Sequence, residues 1–240
     1  IDEQHKFGVQ QRINLLNKSS FCHTLIMSAT PIPRTLSMSV YANMDVSVID
    51  ELPPGRKPIQ TSCLPLSGKD KLIERMLAAT KQGSKIYWIC PLIEESENLD
   101  LNAVMETYED LSEYFSQDKV GCLHGKLSAN KKQEQIQAFK DSKTSILVST
   151  TVVEVGVDIP DADIMVIENA ERFGLAQLHQ LRGRIGRGTK ESYCILLHKD
   201  KIQDVSSQRL QVLVDSQDGF KIAEEDLVIR GPGEIMGAQQ

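Results

Sequence analysis

The chain has 240 residues, of which 40% are apolar and 25% charged, and its net charge is −6. That composition suits one large or two small globular domains and excludes a disordered tail, a collagen and a disulfide scaffold. No apolar run approaches the roughly 18 residues of a membrane helix, and no basic-then-apolar start resembles a secretion signal. The first residue is Ile1 and not Met, as expected of a piece of a longer protein.

Residues 1–50 read as the end of an α/β domain. Ile1 closes one strand, Thr24–Met27 forms another, and Pro31 and Pro33 open a helix bearing Leu36, Met38 and Val40. Two strands cannot build such a domain, so residues 1–45 are expected to be the least protected part of the chain. Residues 51–60 hold Leu52-Pro-Pro-Gly55 and Lys57-Pro58, a turn-rich linker. Ser67 is the expected cap of a helix, with Asp70 at its third position. Leu72, Ile73, Met76 and Leu77 form the apolar stripe of that helix, and Gly83 ends it. Lys85–Cys90 reads as a strand, residues 101–115 as a helix with Leu101, Val104, Met105, Tyr108, Leu111 and Phe115 on one face, and Val120–Leu123 as a strand. Ser128 caps a helix bearing Ile136 and Phe139. Ser145–Thr150 and Asp163–Glu168 are further strands, Leu175, Leu178 and Leu181 mark a helix, and Tyr193–Leu197 is the last strand. In 203–240, Leu210, Leu213 and Val214 give a helical stripe, and Arg230-Gly-Pro-Gly-Glu234 breaks it. Continuously apolar strands between amphipathic helices imply an α/β fold with a parallel sheet covered on both faces. Ligands of such sheets bind at the carboxyl ends of the strands.

The average charge hides two local features. Residues 91–118 carry nine acids and no Lys or Arg, without which the balance would be +3. Residues 171–199 carry six bases against two acids. The acidic run reads as a solvated helix face. The five cysteines contain no Cys-x-x-Cys pair, which excludes a zinc ribbon, and they read as buried reduced thiols of a cytoplasmic protein.

Several polar groups suit phosphate chemistry. Asp2-Glu3 follows a strand, where one carboxylate holds Mg²⁺ and the next orients water against a γ-phosphate. The hydroxyls of Ser28 and Thr30 follow the next strand. Gln180-Leu-Arg-Gly-Arg-Ile-Gly-Arg187 is the strongest local signal. Arg184 and Arg187 are three apart, so on a helical turn they share one side, the design of an arginine finger. His124-Gly125-Lys126 and Thr150-Thr151 follow strands and suit a phosphate backbone, and Asp158 suits a ribose hydroxyl. The phosphate-cradling G-x-x-x-x-G-K-[ST] pattern is nowhere in the chain.

In this order the pieces resemble the superfamily 2 helicases: Asp2-Glu3-Gln4-His5 resembles motif II, Ser28-Ala-Thr30 motif III, Thr150–Asp158 motif V and Gln180–Arg187 motif VI. Asp2–Val9, Ile89–Ser96, Gly219–Leu227 and Arg230–Glu234 are similar, more closely still, to the RecG family of bacterial ATP-dependent DNA helicases. The resemblance implies a RecA-like sheet at 61–202 (motifs IV to VI), preceded by a remnant of a first RecA-like domain at 1–50, the linker at 51–60 and a helical translocation segment at 203–240. It implies an ATP- and Mg²⁺-dependent motor that remodels branched double-stranded DNA in repair and recombination, in the bacterial cytoplasm and without a membrane. By that resemblance Asp2 binds Mg²⁺, Glu3 activates water, and Arg184 and Arg187 reach ATP. Gln180, Gly156, Asp158, Ser28 and Thr30 bind or couple the nucleotide. His124, Gly125, Thr150 and Thr151 lie near DNA, and Arg230, Gly231 and Glu234 serve translocation. The family's phosphate loop and wedge domain belong to an N-terminal half that is absent here, so the chain alone is expected to be inactive. Two other readings stand beside this one: the motor of a transcription-repair coupling factor, and a non-enzymatic DNA-binding or interaction module.

Overall fold

The computed structural model describes residues 1, 11, 14–15, 23–28, 45–49, 51, 53–91, 97–150, 162–188 and 190–230. Six strands form one parallel sheet: β1 (Ile59–Pro65), β2 (Lys85–Ile89), β3 (Val120–Leu123), β4 (Ile146–Ser149), β5 (Ala162–Ile167) and β6 (Ser192–His198), in the order β1-β6-β5-β2-β4-β3. The helices are α1 (Lys69–Lys81), α2 (Glu97–Phe115), α3 (Ala129–Lys140), α4 (Leu175–Arg182), α5 (Asp204–Asp215) and α6 (Gly219–Arg230).

Each central strand is apolar on both sides, so alternate residues feed two cores. On one face Ile86, Trp88, Ile146, Val148, Ile164 and Val166 pack against Leu72, Ile73 and Met76 of α1 and Val104 and Leu111 of α2. On the other face Tyr87, Ile89, Leu147, Met165, Ile167 and Leu196 pack against Phe139 of α3, Leu175, Leu178 and Leu181 of α4, Leu210 and Leu213 of α5, and Ile222 of α6. Connections running toward β3 carry α1 and α2 on one face, and those returning toward β1 carry α3 and α4 on the other. A single handedness of crossover dictates that division.

Five strands match the expected ones to within a residue. β1 was not expected as a strand, and its first two residues fall in the stretch read as linker. Ser67 does not cap α1. Leu66–Gly68 forms a 3-10 turn, Gly68 takes the cap position, and the Ser67 N–H donates to Asp200 Oδ1 at 3.1 Å instead. Ser128 does cap α3, accepting from the Lys131 N–H at 3.4 Å. Along α2, Glu106, Glu109, Asp110 and Glu113 are exposed, as a solvated face requires.

Both outer strands have a backbone edge covered by a glutamine. Gln217 accepts from the Ile59 N–H at 3.2 Å and donates to the Ile59 carbonyl at 3.0 Å. Gln135 accepts from the Cys122 N–H at 3.3 Å, lying so close over β3 that a Cβ on Gly121 would stand 2.9 Å from its Oε1. In the N-terminal region, Ile1 donates to the Leu25 carbonyl at 2.7 Å and accepts from the Met27 N–H at 2.8 Å, the pattern of a parallel pair. Leu25 and Met27 remain 70% and 47% exposed, so among the described residues nothing buries them.

Candidate functional site

The candidate residues separate into two corners of the sheet. At the carboxyl ends of β3 and β4, Leu123 is in register with Ser149, which brings His124 and Thr150 side by side on neighbouring chain segments. The turn after β3 closes with the Leu127 N–H on the His124 carbonyl at 3.2 Å. Lys132 reaches back from α3 to donate to the Gly125 carbonyl at 2.9 Å. Burial, then the charges of Lys132 and Lys126, push the His124 imidazole below its ordinary pKa. A neutral imidazole beside two lysines leaves the positive charge on the flexible ammonium groups. Thr150 is 2% exposed, yet among the described residues its Oγ1 has no hydrogen-bond partner, and neither has His124 Nδ1. A buried hydroxyl in that state costs about 1–3 kcal/mol.

The arginine loop occupies a different corner. The α4 helix ends at Arg182, and Gly183–Ile185 continues as tight turns, with Arg184 N–H on the Leu181 carbonyl at 2.9 Å and Ile185 N–H on the Arg182 carbonyl at 3.3 Å. Gly186 then takes φ +71°, which breaks the helical path. The expected placement of Arg184 and Arg187 on one side of a helical turn is therefore corrected: they belong to a loop outside the helix. Gly186 lies against Ile59 and Ser192, the first residues of β1 and β6, so the loop sits at the amino ends of the strands. That is the opposite end from His124 and Thr150, and from the carboxyl-end position expected of ligand contacts. The seven residues of β1 alone span about 20 Å. Arg184 is half-buried and Arg187 exposed.

Arg182, to which the sequence pattern assigns no role, anchors this corner. It is 3% exposed, and its Nη1 donates to the carbonyls of Leu213 at 2.6 Å and Ser216 at 2.9 Å and to Thr61 Oγ1 at 3.4 Å. Its Nη2 lies 3.1 Å from His179 Nδ1, so that nitrogen accepts and the ring is neutral. Burial first, and Arg182 second, push the His179 pKa down to about 4. The side chain thus saturates the end of α5 and ties it to α4. Nothing in its spacing distinguishes it from its two neighbours; its direction toward the core does.

A third polar cluster was also not expected. Glu168, just past β5, accepts from Lys69 Nζ at 2.7 Å, Thr107 Oγ1 at 3.1 Å and Cys90 Sγ at 3.8 Å, pinning α1 and α2 to the sheet. Lys69 also stands 5.7 Å over the Trp88 ring. The thiols beside these cores are inert: burial raises Cys63 and Cys122 to about 11 and Cys194 to about 12, and raises Cys90 as well. Cys63 and Cys122 are only half-buried, less enclosed than expected.

Of the remaining candidates, Gln180 is half-buried on α4, Ser28 follows the Met27 pairing, and Arg230 is the last residue of α6. Asp2, Glu3, Thr30, Thr151, Gly156, Asp158, Gly231 and Glu234 lie outside the described residues. Among the described residues there is no cluster of metal-ligating side chains and no helix long and apolar enough to cross a membrane.

Residues 68–189 match the model of the helicase conserved C-terminal domain. The whole chain is 51% identical to the ATP-dependent DNA helicase RecG of Pasteurella multocida and 52% identical to that of Acidithiobacillus ferridurans, and it spans 35% of the length of each. A solved structure of RecG bound to a three-way DNA junction superposes on 98% of the chain with a TM-score of 0.76 and 46% identity, the chain covering 30% of it. The sheet and its flanking helices therefore form the RecA-like fold of that structure, and the chain belongs to the helicase conserved C-terminal domain family.

Proposed function

We propose that the chain is the carboxyl-terminal motor portion of an ATP- and Mg²⁺-dependent helicase that remodels branched double-stranded DNA in bacterial repair and recombination. The observation that carries this reading is the identity above 50% to RecG over the full chain, joined to the match with a RecG bound to a DNA junction. In this reading residues 1–50 complete a first motor domain whose phosphate loop lies upstream, 51–60 connect it, 61–202 form the second motor domain, and 203–240 drive translocation. The protein works in the cytoplasm.

ATP bound between the two domains supplies a phosphoryl group for transfer to water. Arg184 and Arg187 stabilise the charge that develops on it, and Gln180, Gly156, Asp158, Ser28 and Thr30 hold and couple the nucleotide. Asp2 would hold Mg²⁺, which would offset the negative charge of the phosphates, and Glu3 would orient the water. His124, Gly125, Thr150 and Thr151 contact the DNA backbone, the neutral His124 as a hydrogen-bonding partner and the adjacent lysines as the charges. Arg182 saturates the end of α5, so a displacement of the arginine loop is carried into α5 and α6, whose last residue is Arg230, and on to Gly231 and Glu234.

The test is Mg²⁺-dependent ATP hydrolysis with and without a synthetic three-way junction. It is run on this chain and on the chain joined to its upstream motor domain. The joined protein turns over with junction stimulation and this chain alone does not. Arg184→Ala lowers kcat about 1,000-fold in the joined protein, the scale of a lost arginine finger. A joined protein whose turnover ignores both the junction and Arg184→Ala would sink the reading.

A further inference from the structure

Arg184 and Arg187 lie on a loop past the end of α4, and a phosphate-contacting side chain needs a fixed base. Two contacts from outside the loop supply one. Pro53-Pro54-Gly55 turns the chain, with the Arg56 N–H on the Pro53 carbonyl at 3.1 Å. The Arg56 side chain then crosses to the loop, where Nη2 donates to the Gly183 carbonyl at 3.4 Å and to the Ile185 carbonyl at 3.3 Å. Those are the carbonyls on either side of Arg184. Three residues further along, Ile59 closes on Gly186, where an added Cβ would stand 3.0 Å from Ile59 Cγ1. One short stretch, 56–59, therefore braces the loop at three successive points.

The location is costly for a cation. Arg56 is half-buried, and burial together with the charge of Arg187 lowers its pKa. A group serving only to fill space there would be neutral. A guanidinium is suited to it because its planar donors point in fixed directions, which a lysine ammonium cannot imitate.

We propose that Arg56 is a positioning residue: it holds the backbone on both sides of Arg184, and through it the segment joining the first 50 residues to the sheet sets the pose in which Arg184 and Arg187 meet a phosphate. The inference rests on the reading of those two arginines as phosphate contacts and goes beyond it. It makes the connecting segment part of the site, because a torsional change in residues 53–58 moves the anchor of Arg184 directly. Arg56 itself touches no reacting atom.

Two measurements test it. In the 240-residue chain, Arg56→Gln speeds amide exchange at Arg184 and Ile185 by about tenfold, the loss of roughly one hydrogen bond's worth of local protection, and leaves 146–149 unchanged. In the joined protein, Arg56→Gln lowers junction-stimulated kcat about 10- to 100-fold with KM for ATP moved less than threefold. Arg56→Lys, which keeps the charge, gives the same faster exchange and only partial recovery of kcat. Unchanged exchange in either variant overturns the inference. So does a raised KM at constant kcat, which would mean that Arg56 binds the nucleotide itself. If Arg56→Gln does not fold, Arg56→Lys carries the same two tests. An Arg184→Ala protein with normal kcat removes the phosphate reading instead, and the exchange experiment then still decides whether Arg56 braces the loop.

Discussion

The amino-end corner of the sheet, built by Arg182, Gln217, Arg56 and Gly186, has donors matched to carbonyls across four segments of the chain. The carboxyl-end corner at His124 and Thr150 keeps two buried polar atoms without partners among the described residues. The first corner is therefore shaped by the protein alone, before any ligand arrives. The second keeps unspent hydrogen-bonding capacity, which in the proposed function is taken up by the DNA backbone. Preorganisation belongs where charge develops during reaction, and unspent hydrogen-bonding capacity belongs where a partner is bound and released at every step.

The sharpest way to break this comparison is Arg182→Ala. It strands the carbonyls of Leu213 and Ser216 in the core, and we expect a loss of about 2–4 kcal/mol in urea unfolding. A loss below about 1 kcal/mol would mean that water replaces the guanidinium and that the corner is not preassembled. Gly186→Ala comes next. At φ +71°, with Ile59 Cγ1 3.0 Å from the new Cβ, it should cost about 1–2 kcal/mol and loosen the arginine loop to amide exchange.

The pH dependence follows from His179. Its folded pKa of about 4 lies below the ordinary 6.5, so between those values the unfolded chain binds a proton that the folded chain refuses. The contribution is complete above pH 6.5 and declines as pH falls toward 4. The urea midpoint should therefore drop between pH 6.5 and 5, and His179→Gln should flatten that drop; an unchanged slope would place the ring in water. The smallest effect on stability is expected at the other corner. Because Thr150 Oγ1 has no partner among the described residues, Thr150→Val relieves a buried unpaired hydroxyl and should raise stability slightly, by about 1 kcal/mol. Fluorescence anisotropy should nevertheless show weaker junction binding. A large destabilisation would show that the hydroxyl is used within the protein, and the contrast between the corners would disappear.

The parallel sheet was legible because its central strands are apolar on both faces, a pattern no solvated strand tolerates. β1 was not legible: Gln60, Thr61 and Ser62 interrupt it, Pro58 precedes it and Pro65 ends it, and as an outer strand it needs fewer apolar residues. α6 carries Phe220, Ile222, Leu227, Val228 and Ile229 around more than one side, so no single stripe announces it. Among the candidate residues, the strand-end positions of His124 and Thr150 could be read from the strands before them. The roles of Arg182 and Arg56 could not. Both depend on carbonyls brought close only when the chain folds, from as far away as the 129 positions that separate Arg56 from Ile185.

The glutamines at the two margins of the sheet have a consequence for the life of this protein in a crowded cell. An outer strand with free N–H and carbonyl groups is a template on which another extended chain can add itself, the first step toward fibrils and swapped dimers. Gln217 occupies both backbone groups of Ile59, and Gln135 occupies the N–H of Cys122. Each side chain imitates one residue of a seventh strand and leaves less room for a real one, so self-association by edge growth is discouraged on both sides without a charge in either strand.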